Sequence, residues 1–116
     1  MFEKSVASVA EIILDQLGGN HFIVMTGCHH FVGEKDALRM IIPRNASPAN
    51  RLKIQLKADD TYRMEFRRYR EEYLYTRNGK CYLSKIVDKE VETFDDVYCD
   101  QLQELFTQVT GMYTSL

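Results

Sequence analysis

Between Arg51 and Arg67 the chain reads RLKIQLKADDTYRMEFR, apolar and polar by turns. Leu52, Ile54 and Leu56 share one side of the first half, and Tyr62, Met64 and Phe66 share one side of the second. Strand side chains alternate faces at period two, so each half reads as a strand with one apolar face. Ala58-Asp59-Asp60-Thr61 supplies the turn, because Asp side chains bond back to nearby amides. The pattern predicts a β-hairpin whose opposite face carries Arg51, Lys53, Lys57, Arg63 and Arg67.

Upstream the period changes. Val6, Val9, Ala10, Ile13, Leu14 and Leu17 recur at steps of three and four, which predicts an amphipathic helix over roughly Glu3–Leu17. Gly18-Gly19-Asn20 ends it. His21–Thr26, HFIVMT, is β-branched and aromatic and predicts a short strand. Gly27–Asp36 reads as a turn or distorted hairpin, Ala37–Ile42 as a second strand, and Pro43–Asn50 as a loop. Downstream, Asn78-Gly79 is a strong hairpin signal between strands at Glu72–Thr76 and Lys80–Val87. Asp88–Phe94 reads as a last short strand or a connector. Asp95 or Asp96 is expected to cap a second helix running to about Thr110, with Tyr98, Leu102, Leu105, Phe106 and Val109 on one face. Gly111 ends that helix, and the tail from Met112 carries apolar residues that can dock on the body.

Each helix has one apolar stripe and the sheet one apolar face. The expected fold is therefore α+β: a mostly antiparallel sheet of four to six strands, with an N-terminal and a C-terminal helix packed on one face. At 116 residues the whole chain, 1–116, is expected to form a single domain.

No stretch approaches the ~18 apolar residues a membrane span needs, so no membrane partner is expected. The opening MFEKSVASVAEIIL has no apolar run of signal-peptide length, which points to the cytoplasm. Cys28, Cys81 and Cys99 are odd in number and widely spaced, the usage of free thiols in a reducing compartment. Asn45-Ala46-Ser47 matches a glycosylation acceptor, but that match has no meaning without a secretory route.

The net charge of −2 conceals a lopsided layout. Residues 51–85 hold ten basic and five acidic side chains, whereas residues 86–116 hold one basic and seven acidic. Either the two regions meet across a subunit contact, which leaves a homo-oligomer open, or they present separate surfaces. On the basic hairpin face, with Arg68, Arg70, Arg77 and Lys80 nearby and Tyr69, Tyr73, Tyr75 and Tyr82 interleaved, cations for phosphates accompany aromatics for bases. The plain alternative is a solvated sheet face or a protein contact, and a pI near 5.9 favours it. Asp95, Asp96, Asp100 and Glu104, with Asp88, Glu90 and Glu92, offer a third reading, an acidic helix that mimics nucleic-acid phosphates.

Catalytic chemistry is thin. Cys28, His29 and His30, with His21 upstream, are the one cluster of soft ligands, but adjacent residues in an extended chain point apart, and no metal or cofactor is expected. No Gly-x-Ser-x-Gly elbow and no Gly-rich phosphate loop is present, so no catalytic residue is assigned and the chain is not expected to be an enzyme. Thr114-Ser115-Leu116 looks like a C-terminal PDZ ligand, a pattern short enough to arise by chance.

Three stretches carry a family resemblance: LGGNHFIVMTG at Leu17–Gly27, LKADDTYRMEF at Leu56–Phe66, and YCDQLQELFTQVTGMYTSL at Tyr98–Leu116. Together they resemble small bacteriophage and mobile-element proteins of unknown function. GCHHF at Gly27–Phe31 departs from that pattern, which is richer in Lys and Asn there. The resemblance transfers no catalytic residue. It implies an accessory protein working inside a bacterial cell; together with the charge layout, the expectation is a non-catalytic protein of the host cytoplasm that binds a host protein or nucleic acid through a charged surface. The alternatives are a counter-defence inhibitor and a small enzyme with an unrecognised site.

Overall fold

The computed structural model describes residues 8–114. The elements run α1 (Val9–Leu17), α2 (Asn20–Thr26), β1 (His29–Gly33), β2 (Ala37–Ile41), β3 (Arg51–Leu56), β4 (Tyr62–Tyr75), β5 (Cys81–Val97), a 3₁₀ turn (Cys99–Gln101) and α3 (Leu102–Thr110). The sheet is antiparallel with strand order β1-β2-β3-β4-β5, each strand beside its sequence neighbour. The α+β expectation holds, with two N-terminal helices and one C-terminal helix.

Register follows the alternation. Met40, Leu52 and Phe66 form one cross-strand row, and Leu38, Ile54, Met64 and Phe94 the next. Against these rows lie Ile13 and Leu17 of α1, Phe22 of α2, and Leu102 and Phe106 of α3, all fully buried. Phe22 and Phe106 meet edge-on with centroids 4.9 Å apart, a geometry that aromatic quadrupoles favour.

α1 starts at a capping box. The Glu11 amide donates to Ser8 Oγ at 3.2 Å, and the Ser8 amide donates to Glu11 Oε1 at 2.9 Å. The predicted first turns of this helix at residues 3–7, and Ser115-Leu116 of the tail, lie outside the described residues.

Two expectations are corrected. His21–Thr26 is helical, not a strand. Gly18 and Gly19 both take positive φ and turn the chain directly from α1 into α2, which stops at Gly27 in the left-handed region. Phe22 and Thr26 are buried while Val24 is 80% exposed, a spacing of four rather than two. Such a short helix rich in β-branched residues owes its conformation to tertiary packing. The region expected as a turn or distorted hairpin, Gly27–Asp36, contains β1, which pairs antiparallel with β2 in an irregular register, so the distorted-hairpin alternative is the one that forms.

The second correction concerns Asp95 and Asp96. They lie in β5, which continues to Val97 opposite Tyr62, so neither caps a helix. Tyr98 precedes the 3₁₀ turn and is exposed, and helix α3 begins only at Leu102. Leu102 and Phe106 are buried as its apolar face predicts, with Leu105 and Val109 half-buried. The tail docks through Met112 and Thr114, whose hydroxyl donates to Gln103 Oε1 at 2.9 Å.

The two predicted hairpins share one strand. β4 runs unbroken for 14 residues and β5 for 17, so the second hairpin is the far end of the first sheet. β3 begins at Arg51, where the Asn50 side chain takes over the pairing: its amide donates to Tyr69 O, and the Tyr69 amide donates to Asn50 Oδ1, both at 2.8 Å. Beyond Tyr69, β4 has only β5 beside it. The chain therefore projects a two-stranded arm, closed by the Asn78-Gly79 turn with Gly79 at φ +84°. No residue from Arg67 to Glu90 belongs to the core. The radius of gyration is 16.5 Å, against about 13 Å for a compact chain of this length.

Candidate functional site

The five predicted basic residues do share the outer face of the sheet. Four of them spend their charge within the chain. Lys53 lies 3.9 Å from Glu34, Lys57 lies 3.4 Å from both Asp95 and Asp96, Arg63 lies 3.0 Å from Asp95, and Arg67 lies 2.7 Å from Asp88. Hydrogen bonding to Asp88 raises the pKa of Arg67 further above its already high value. Arg51 instead lies over the Tyr69 ring, 4.9 Å from its centroid, a cation–π contact. Part of the basic middle of the sequence thus meets Asp88, Asp95 and Asp96 of its acidic end inside one molecule. A solvent-open concavity of about 640 Å³ on this face is lined by cations and acids together, among them Arg39, Arg51, Lys53, Glu65, Arg67 and Asp88.

The acidic set does not form one helix face. Asp95 and Asp96 pair with Lys57 from β5, Asp100 sits in the 3₁₀ turn, and Glu104 is in the first turn of α3. The Cys28, His29 and His30 cluster is likewise divided. Cys28 is buried, and burial pushes its thiol pKa up against an opposing hydrogen bond with Thr26. His29 and His30 are exposed and lie edge-to-face with each other. Among the described residues no three His, Cys, Asp or Glu side chains converge on a metal position. No helix of the described residues is long and apolar enough to cross a membrane.

The arm is different in kind. Its pairing is Arg68↔Lys89, Arg70↔Val87, Glu72↔Lys85 and Leu74↔Tyr82 on one face. On the other face it is Tyr69↔Asp88, Glu71↔Ile86, Tyr73↔Leu83 and Tyr75↔Cys81. The first face continues the core side of the sheet past the helices and is basic. Arg68 stands directly opposite Lys89, a like-charge pair that costs a sheet stability. Among the described residues, Arg68, Arg77, Lys80, Lys85 and Lys89 have no carboxylate within ion-pair distance, and Arg70 has Glu72 at 2.6 Å. Leu74 and Tyr82 add 63% and 54% exposed apolar surface near the tip.

The second face is a row of tyrosines around Glu71, with Asp88 opposite Tyr69 at its root. The hydroxyls of Tyr73 and Tyr69 both donate to the Glu71 carboxylate, at 2.5 and 2.8 Å. These bonds hold the Glu71 carboxyl below its ordinary range and push both tyrosine hydroxyls above theirs. Sequence reading found these cations and tyrosines but assigned them to the surroundings of the hairpin at Arg51–Arg67. The length of β4 past the end of β3 decides which cations remain unpaired, and alternation alone carries no record of where a neighbouring strand stops. Compared with protein-family models, curated proteins and solved structures, the chain matches none.

Proposed function

We propose that this is a non-catalytic accessory binding protein that contacts nucleic acid through the basic face of its β4–β5 arm. The setting is that of the mobile-element proteins it resembles, the cytoplasm of a bacterial cell. The observation that carries the reading is the cation set Arg68, Arg70, Lys85 and Lys89 on one face of a projecting ribbon, with Arg68 and Lys89 opposed across the ladder. Among the described residues of the sheet only the Arg70–Glu72 ion pair and the hydrogen bond from Arg68 to Pro48 O are set against the Arg68–Lys89 repulsion, whereas a line of phosphates offsets its cost. The form fits as well. A two-stranded ribbon is narrow enough for the major groove of a duplex, and the eight residues from Arg68 to Tyr75 span roughly 26 Å at ~3.3 Å per residue. Leu74 and Tyr82 offer apolar and stacking surface at the far end. The five cations of the sheet body support this reading less, since four of them already face carboxylates.

Fluorescence anisotropy with labelled mixed-sequence duplex and single-stranded DNA tests the proposal. Four to six phosphate contacts predict a fall in affinity of about 100- to 1,000-fold between about 50 and about 200 mM salt. The triple variant R68E/K85E/K89E is expected to lose binding, and K53E/R63E/R67E to retain it. Absence of binding at the lower salt refutes the reading and leaves a protein partner in its place. Loss of binding only in the body variant moves the interface to the outer face.

A further inference from the structure

His29 and His30 open β1, and in a regular strand their side chains would leave opposite faces. Here they do not. The pairing of β1 with β2 slips between His29↔Ile41 and Val32↔Arg39, so His30 and Phe31 together oppose Met40. That is a bulge, and His30 absorbs it with φ +56°, in the left-handed region. The two rings consequently meet, with centroids 4.7 Å apart and the two Nδ1 atoms 2.5 Å apart. We propose that these two Nδ1 atoms form a bidentate site for a divalent late transition-metal ion, nickel or copper in class.

Nitrogen chemistry selects the ion. Two imidazole lone pairs this close repel unless a proton or a metal lies between them. Two metal–nitrogen bonds of about 2.0 Å at a right angle hold their nitrogens about 2.8 Å apart, the edge of a tetragonal or octahedral ion. Both side chains are exposed, so a small rotation opens the pair to that separation. Neutral imidazole suits nickel and copper, whereas magnesium and calcium take oxygen ligands. Among the described residues no third His, Cys, Asp or Glu joins the pair, so water completes the shell.

The surroundings set the strength. His30 lines the concavity that also holds Arg39 and Arg51. Arg39 is paired with Glu34 at 2.6 Å, and Arg51 lies over the Tyr69 ring. Two protein ligands beside these cations make a weak, exchangeable site, with a dissociation constant on the order of 10 to 100 μM. This inference does not rest on the nucleic-acid reading, and its test contains no nucleic acid.

Isothermal titration calorimetry of the full chain with nickel chloride at about pH 7.5, up to about 1 mM metal, gives the first readout. Nickel is the probe because it leaves the exposed thiols of Cys81 and Cys99 unoxidised. The wild type is expected to show saturable binding, and magnesium chloride none. Amide NMR is expected to show line broadening centred on His29 and His30 and on Arg39–Ile41 of the facing strand. H29A and H30N are each expected to weaken binding at least about tenfold. Asn tolerates the left-handed backbone, so H30N removes the imidazole and keeps the bulge. H21A and C81S/C99S are expected to bind like the wild type. Absence of saturable binding overturns the inference and leaves the two rings sharing a proton. Less than about tenfold weakening in H29A or H30N, loss of binding in H21A or C81S/C99S, or broadening centred elsewhere also overturns it.

Discussion

Truncating Phe22 and Val24 to alanine, two residues apart in α2, separates helix from strand at the point where the local sequence is most misleading. Phe22 is fully buried and edge-on to Phe106, whereas Val24 is 80% exposed. Phe22→Ala removes a core aromatic, a change worth about 3–5 kcal/mol, of which the ring pair contributes about 0.5–1.5. Alanine returns roughly 0.5 kcal/mol of helix propensity, so a net loss of about 2.5–4.5 kcal/mol is expected. At this chain length that lowers the melting temperature by about 10–20 °C. Val24→Ala loses almost no burial and gains the same propensity, so it is expected to be neutral or to stabilise by about 0.5 kcal/mol. Urea unfolding followed by circular dichroism and tyrosine fluorescence measures both, with an unchanged dependence on denaturant as the check on two-state behaviour. If the segment were extended, both side chains would share one face and both truncations would cost heavily. A loss above about 1 kcal/mol for Val24→Ala refutes the helical placement.

Three further outcomes follow from named contacts. Asn50→Ala removes both hydrogen bonds to the Tyr69 backbone at the root of the arm and is expected to cost about 1–2 kcal/mol, with faster amide exchange from Tyr69 outward. Exchange that accelerates uniformly over the body instead contradicts this local role at the root of the arm. Ser8→Ala breaks the capping box of α1 and is expected to lose about 1 kcal/mol in the same urea assay, whereas a change below 0.3 kcal/mol counts against the cap. The Glu71 carboxyl is held low by Tyr73 and then Tyr69, so its contribution is present above the ordinary carboxylate range and lost as pH falls through the depressed folded value. The two tyrosines are held high by Glu71, so theirs is present below the ordinary tyrosine range and lost as pH rises through the elevated folded values. Carboxyl NMR titration is expected to place Glu71 below its ordinary value, and Y69F/Y73F to return it; an ordinary value in the wild type removes the arrangement.

Alternation at Arg51–Arg67 and the turn at Asp59 were legible because each is fixed within a few residues. The Thr61 hydroxyl and amide both donate to Asp59 Oδ1, at 2.7 and 3.1 Å, and hold its carboxyl low. α1 and the buried face of α3 were legible for the same reason, through the steps joining Ala10, Ile13 and Leu17 and those joining Leu102 and Phe106. HFIVMT misled because its β-branched residues favour strands locally, while the Gly18-Gly19 corner and the pocket around Phe106 select a helix. Asp95 and Asp96 misled because acidic residues before an apolar run look like a cap. Pairing of Val97 with Tyr62 and the nearby Lys57 and Arg63 draw them into the sheet instead. The composition of the arm was visible, but not its separation from the body, since that depends on where β3 ends.

One feature of β5 bears on how such a protein stays dispersed. It is an edge strand 17 residues long, a length of exposed amides and carbonyls that invites addition of further chains. Its pairing with β4 is interrupted three times, between Tyr62 and Met64, between Phe66 and Arg67, and between Glu72 and Tyr73, and each time the extra residue lies in β5. Each bulge bends its strand and steepens the local twist. The free edge therefore coils away instead of presenting a flat template, and Lys85, Asp88, Lys89, Glu90 and Glu92 line it with charge. An irregularity that looks like a defect in the ladder thus acts as a guard against fibre growth along this edge.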